Sequence, residues 1–220
     1  MASDTQNSNE SGKELLLYLL DAVDKLDMIS PESIPDIDLY MDQVTTFMDE
    51  HLSHSRRHDE DKILTKTMIN NYAKNNLLPA PERKKYTKEH VMLLIFIYYY
   101  KGFLSLQDIQ SILSPLGDKY FHSSGGLSIC DIYREVVRMN QNRTEDFREE
   151  VNDMEDLAAD YFADAKGSER EFLRVFSMIN MLAYDVYVRK TLIEKLIDRY
   201  FTDDQKEKAR KRKKGEPETS

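Results

Sequence analysis

Thr65-Lys66-Thr67-Met68-Ile69-Asn70-Asn71-Tyr72-Ala73-Lys74, followed after Pro79-Ala80-Pro81 by Arg83-Lys84-Lys85-Tyr86, is the stretch on which the reading of this chain turns. Met68, Ile69 and Tyr72 recur at helical spacing, so a helix over Thr65 to Asn75 turns them inward and leaves a polar face outside. Its first turn offers Thr65, Lys66 and Thr67: hydroxyls, an ammonium and free backbone N–H groups, a set that meets a phosphate. In its middle stand Asn70 and Asn71. Asn can bind adenine with two hydrogen bonds in the major groove, so an exposed Asn here can read sequence as well as hold register. Lys74 adds a cation to the last turn, and Asn76 follows where a left-handed residue is wanted. Glu82 to Tyr86 reads as a short extended or turn segment carrying three more cations, Arg83, Lys84 and Lys85, and ending in Tyr86.

Outward from this stretch, helical periodicity continues and alternating strand patterns are nearly absent, so the chain is expected to be all-α, or mainly α. Lys13 to Ile29 places Leu16, Leu19, Leu20, Val23 and Leu26 on one stripe, ended by Ser30-Pro31 and Ile34-Pro35. A second helix is expected from Asp38 to Leu52, with Leu39, Val44, Phe47, Met48 and Leu52 apolar, and the polar run Ser53 to Lys62 separates it from the third. Thr87 is a good N-cap for a helix Lys88 to Lys101, and Gly102 is placed to cap its end. Ser105-Leu106-Gln107-Asp108 is a start signal for a helix to Leu113. Pro115 to Gly126 reads as a connection, after which helices are expected over Ser128 to Asn140, Glu145 to Ala165 and Ser168 to Phe201. Phe172, Phe176, Ile179, Leu182, Val186, Ile193, Leu196, Ile197 and Tyr200 recur through the last of them.

Charge sharpens the picture. The net charge of -9 argues against nucleic acid, since binding rests on cations that displace phosphate counterions. The distribution reverses that: residues 1–55 hold 2 Lys+Arg against 12 Asp+Glu, whereas residues 56–101 hold 10 against 5. Salt screens charges beyond roughly 10 Å, so a local positive face survives an acidic whole. The longest apolar run, Val91 to Tyr100, is shorter than the ~20 residues of a transmembrane helix. Met1 to Gly12 lacks a secretory pattern and reads as disordered, and the single cysteine, Cys130, has no partner; the expected compartment is the cytoplasm, with no membrane association.

The landmarks from Thr67 to Leu113 resemble the DNA-binding domain of mercury-resistance-type (MerR-like) regulators. Those carry a recognition helix ending in Tyr, then Gly-Leu-Leu, a basic wing ending in Tyr, and a helix leading into Gly-Phe-Ser-Leu; here stand Tyr72, Asn76-Leu77-Leu78-Pro79, Arg83-Lys84-Lys85-Tyr86 and Gly102-Phe103-Leu104-Ser105-Leu106. The family's recognition-helix Arg falls at Asn70 and its first Tyr at Asn71, and the wing is shorter. The wider stretch Ile34 to Leu113 is similar to bacterial domain-of-unknown-function family number 1836. The resemblance implies a MerR-like winged helix-turn-helix domain followed by a helical bundle with a long C-terminal helix. The expected segments are a disordered terminus (1–12), an N-terminal helix (13–33), the DNA-binding domain (34–116), a linker (117–126), a helical dimerisation or effector domain (127–204) and a basic disordered tail (205–220).

The function expected is a sequence-specific transcription regulator that contacts double-stranded DNA through Thr65, Lys66, Thr67, Asn70, Asn71, Lys74, Arg83, Lys84, Lys85 and Tyr86. A homodimer is expected, because one helix reads only a half-site, and the bundle is a candidate for an unidentified small-molecule effector. The alternative is a protein-interaction adaptor that keeps the fold without DNA contact. His51, His54 and His58, spaced i, i+3, i+7, would share a face of a continuous helix and are the one candidate metal set; a solvated polar linker is the favoured reading of that run, and no metal or cofactor is expected. Tyr98-Tyr99-Tyr100 and the stripe around Met178, Met181, Tyr184 and Tyr187 read first as packing surface. No nucleophile, phosphate-loop or catalytic metal motif is present, so no enzymatic activity is expected.

Overall fold

A computed structural model describes residues 14–25, 28–123, 125–162 and 164–202, the side chains of Ala159 and Thr202 apart. Lys13, Leu26, the N-terminal segment Met1 to Gly12 and the basic run Lys206 to Lys214 lie outside the described residues. The described chain is mainly α: α1 (14–24), α2 (Met41–Leu52), α3 (Lys66–Lys74), α4 (Lys88–Tyr100), α5 (Leu106–Tyr120), α6 (Ile129–Asp160) and α7 (Gly167–Ile197), which runs on into a π-helical segment Asp198–Thr202. One small antiparallel sheet pairs β1 (Leu39–Tyr40) with β2 (Lys85–Tyr86), Leu39 opposite Tyr86 and Tyr40 opposite Lys85. Among the described residues no helix is long and apolar enough to cross a membrane.

The start signals act as read. Ser105 Oγ accepts the Asp108 N–H at 3.1 Å while the Ser105 N–H reaches Asp108 Oδ2 at 3.3 Å, the reciprocal box that satisfies two orphan donors at once. Thr87 opens α4, its N–H donating to His90 Nδ1 at 3.0 Å. Ser128 and Asp131 repeat the box at the head of α6.

Several boundaries move for identifiable reasons. Leu39 and Tyr40 are not the first turn of α2, as expected, but a strand, because β2 supplies their pairing; α2 begins at Met41. The first helix stops at residue 24 rather than continuing to Ile29. Gly102 is not a left-handed cap, since it lies outside the positive-φ set; α4 closes instead with the Lys101 N–H on the Ile97 carbonyl at 2.9 Å. α5 does not end at Leu113 but runs through Pro115 to Tyr120, so the expected linker begins later. A proline inside a helix costs about 3 kcal/mol, and tertiary contact offsets it: Gln110 and Ser114 on α5 hydrogen-bond the Asn75 and Asn76 carbonyls at 2.8 and 3.1 Å. The two helices expected between Ser128 and Ala165 are one, α6, whose sequence holds neither Gly nor Pro. Arg143 bridges the anticipated gap, pairing with Asp146 at 2.9 Å and Glu150 at 3.7 Å.

The chain divides into two units. One joins Ile29–Glu135 to the chain from Arg189. Its centre is α4, buried on all sides from His90 to Ile97 and in contact with α5 and β2; Ile34, Val44, Met48, Leu52, Ile69 and Ile109 are buried in the same unit. Tyr133 closes this core, its hydroxyl donating to the Ile29 carbonyl at 2.6 Å and its ring edge-on to Phe96. The other unit joins the N-terminal helix to Val136–Val188. Val23, Val137, Val151, Ala158 and Met178 are buried there, and Arg174 pairs with Glu155 at 2.5 Å.

Candidate nucleic-acid interface

α3 separates its residues by environment. Ile69 and Tyr72 are buried, Met68 and Ala73 are half-buried, and Lys66, Thr67, Asn70, Asn71 and Lys74 are exposed. At about 100° per residue the five exposed positions fall within an arc of about 140°, so every polar side chain of the helix shares one face. Thr65 caps it: Oγ1 accepts the Met68 N–H at 3.2 Å. That bond uses one hydroxyl lone pair and leaves the N–H groups of Lys66 and Thr67 as the free donors of the first turn.

The far end is held as firmly. Asn76 takes φ 54°, the left-handed conformation that lets the Leu77 N–H return to the Tyr72 carbonyl at 2.9 Å. Leu77 and Leu78 then enter the core. Gln110 and Ser114 of α5 take the carbonyls that this exit would otherwise leave open. Neither residue stands out in the sequence, because the partners lie 35 and 38 positions away.

The basic segment is a tight hairpin. The Lys85 N–H donates to the Glu82 carbonyl at 2.8 Å, and the two residues between, Arg83 and Lys84, have φ of 49° and 65°. Consecutive left-handed residues in a two-residue loop are what a type I′ turn requires, and Asn-Gly is the usual occupant. For residues with a Cβ the conformation costs roughly 1–2 kcal/mol each. Arg83 and Lys84 are both exposed. Lys85, next along, lays its ammonium 5.5 Å from the Tyr40 ring centre. α2 packs against both α3 and β2, so helix and hairpin are mounted on one support.

Tyr86 leaves the contact set. It is buried, its ring meets His90 edge-on at 5.5 Å, and burial pushes its hydroxyl pKa up. His90 is itself buried, ringed by Tyr86, Phe121 and His122. Burial first, then the neighbouring His122, hold its pKa down to about 4. The Ala80 and Pro79 carbonyls pull the other way without offering Nε2 a hydrogen bond of normal geometry. Since Nδ1 accepts from the Thr87 backbone, the neutral ring carries its proton on Nε2.

Of the cations, Lys66 forms an ion pair with Asp42 of α2, a partner that sequence reading missed. Both side chains are largely exposed, so the pair is weak and exchangeable. Among the described residues no carboxylate pairs with Lys74, Arg83, Lys84 or Lys85. The histidine set does not converge. α2 ends at Leu52, a 3-10 turn covers Ser53–Ser55, and the chain is irregular at His58, so His51, His54 and His58 share no helix face. His51 instead bonds the Phe47 carbonyl at 3.0 Å, and its ring centre lies 4.2 Å from that of the Phe47 ring at a tilt of 31°. Among the described residues no group of three His, Cys, Asp or Glu is arranged to hold a metal. Tyr98 bonds Ser55 and lies under the Lys101 ammonium at 4.6 Å, and Tyr100 stacks on Phe96, so this cluster is packing surface.

Residues 29–136 match the family model described as Domain of unknown function (DUF1836), to which this segment is similar. Its bounds agree to within one residue with the Ile29–Glu135 part of the first compact unit. No curated protein and no solved structure matches the chain.

Proposed function

We propose that residues 29–136, similar to a family without a described function, dock on double-stranded DNA in the manner of a MerR-like winged helix-turn-helix. On this reading α3 enters the major groove, the Arg83–Lys84 hairpin acts as the wing, and the protein is a sequence-specific transcription regulator. The observation that carries the reading is the hairpin. Two cationic side chains occupy a turn whose backbone favours Asn and Gly, both exposed and unpaired with carboxylate among the described residues. Backbone strain kept at an exposed position points to a function there, and two adjacent cations at a projecting tip suit a phosphate backbone. The polar face of α3 supports the same surface: Lys66, Thr67 and Lys74 for phosphates, Asn70 and Asn71 for base edges.

Fluorescence anisotropy of the full chain on DNA upstream of its own gene, across a salt series, tests the proposal. Log affinity is expected to fall linearly with log salt. Replacing Arg83 and Lys84 by Glu should weaken binding on every sequence and lower the slope by about 0.9 for each phosphate that is no longer neutralised. Asn70→Ala should instead narrow the gap between specific and random DNA by about 1–3 kcal/mol. Arg83→Asn with Lys84→Gly separates shape from charge: the hairpin gains about 1–3 kcal/mol of stability as strain is relieved, while DNA affinity drops. The absence of salt-dependent binding to any fragment would discard the reading. The second reading, a protein-interaction adaptor, draws on the Lys66–Asp42 pair, which occupies the first cation of α3. It predicts that Asp42→Asn leaves DNA affinity unchanged, whereas the DNA reading predicts a gain.

A further inference from the structure

Among the described residues, α7 is apolar on more sides than its own unit covers. Within 172–188, Met178 is buried, whereas Phe172, Phe176, Ile179, Ala183 and Val186 are exposed. These five follow one another at intervals of four, three, four and three. That is the a/d spacing of a coiled-coil seam. Phe172, Phe176, Ile179 and Val186 expose 66%, 51%, 58% and 60% of their surface, and Tyr184 and Tyr187 beside them 66% and 67%. With aromatic side chains of 150–250 Å² each, the strip presents on the order of 600–700 Å² per copy. This exceeds the largest patch on a typical monomer and approaches the roughly 800 Å² that each partner contributes to a standard interface.

We propose that this strip is closed by the α7 of a second copy of the chain, the two helices running antiparallel about a two-fold axis near residue 181. The identity of the occupant follows from charge and from size. Residues 172–188 contain only two charged side chains, Arg174 and Asp185, neither on the seam, so a nucleic acid or a charged peptide finds nothing to pair with. The seam is also complementary to itself in reverse. In the antiparallel arrangement Ile179 faces the partner's Ala183 and Phe176 faces the partner's Val186, each layer joining a larger to a smaller residue. A parallel pair in register would set Phe on Phe at two layers and Ala on Ala at a third, crowding one end and leaving a void further along, and both defects are destabilising. A two-fold contact of this kind closes on itself and stops at two copies.

The proposal stands apart from the DNA reading, and its test uses no DNA. Light scattering after size exclusion of the full chain at tens of micromolar should give twice the 25.8 kDa chain mass. Ile179→Glu should give the single-chain mass with an unchanged helical circular dichroism signal, because Ile179 is exposed in the protomer. In a Cys130→Ser background, oxidising a mixture of Phe176→Cys and Val186→Cys chains should cross-link one to the other. Neither variant should cross-link to itself, since like positions lie ten residues, about 15 Å, apart, beyond the reach of a disulfide. A monomeric wild type, a dimer that survives Ile179→Glu, or self-cross-linking of Phe176→Cys would each overturn the proposal.

Discussion

α4 and the 172–188 stretch of α7 are both rich in apolar residues, and their surroundings differ completely. α4 is enclosed: from His90 to Ile97 every side chain is buried, the N-terminus is locked by Thr87 on His90, and the residue after it, Lys101, donates from its ammonium to the Ile63 carbonyl at 2.6 Å. Across 172–188 of α7, by contrast, only Met178 is in the buried set, and a continuous apolar seam is exposed among the described residues. Apolar content alone therefore does not mark a core. What decides is whether the same chain supplies enough surface to wrap the helix; around α4 the neighbouring segments do so, while among the described residues one side of α7 is left exposed.

The largest effect that tests this contrast is a truncation inside α4. Ile95 is fully buried, so Ile95→Ala removes three carbons from a packed site and leaves a cavity. Urea unfolding should show a loss of about 2–5 kcal/mol; a loss under about 1 kcal/mol would mean that α4 is not the enclosed centre of its unit.

The next effect follows from the pH response of the same helix. His90 titrates near 6.5 when unfolded and at about 4 in the native chain. Between those values the unfolded state takes up a proton that the native state refuses. Stability is therefore full above pH 6.5 and falls as the pH drops toward 4, by about 3 kcal/mol at the lower limit. His90→Gln keeps an acceptor at the third position for the Thr87 N–H and cannot titrate. Unfolding free energies measured from pH 7 to pH 4 should lose most of their slope in that variant; an unchanged slope would assign it to the carboxylates instead.

What was legible in the sequence follows the range of the interaction. The mainly α class, the polar face of α3, the left-handed Asn76 and the caps at Thr87 and Ser105 all rest on residues within a turn of one another, and periodicity or a capping pair carries that information. The hairpin at Arg83–Lys84 was read only as a basic turn, because the conformation belongs to Asn-Gly and neither residue advertises it. The burial of Tyr86 depends on β1 and on the His90 ring, the Lys66–Asp42 pair on a helix 24 residues earlier, and the passage of α5 through Pro115 on carbonyls of a distant loop. In α7 the recurrence of Phe172, Phe176, Ile179, Leu182 and Val186 was plain in the sequence. Which of them the chain covers was not, since periodicity reports a stripe and says nothing about what lies against it.

The smallest effect is the most pointed, because it repeats the first substitution on the other helix. Ile179→Ala removes the same carbons as Ile95→Ala from a side chain that is 58% exposed. At protein concentrations low enough to keep copies apart, the loss should stay within about 0.5 kcal/mol, the range of ordinary surface changes. Raising the concentration should enlarge it, since association stabilises the folded chain by mass action and the variant associates less. A difference between Ile179→Ala and wild type that is small when dilute and grows with concentration separates an open seam from a filled one. A loss as large as that of Ile95→Ala at every concentration would instead make α7 a core helix like α4 and erase the contrast.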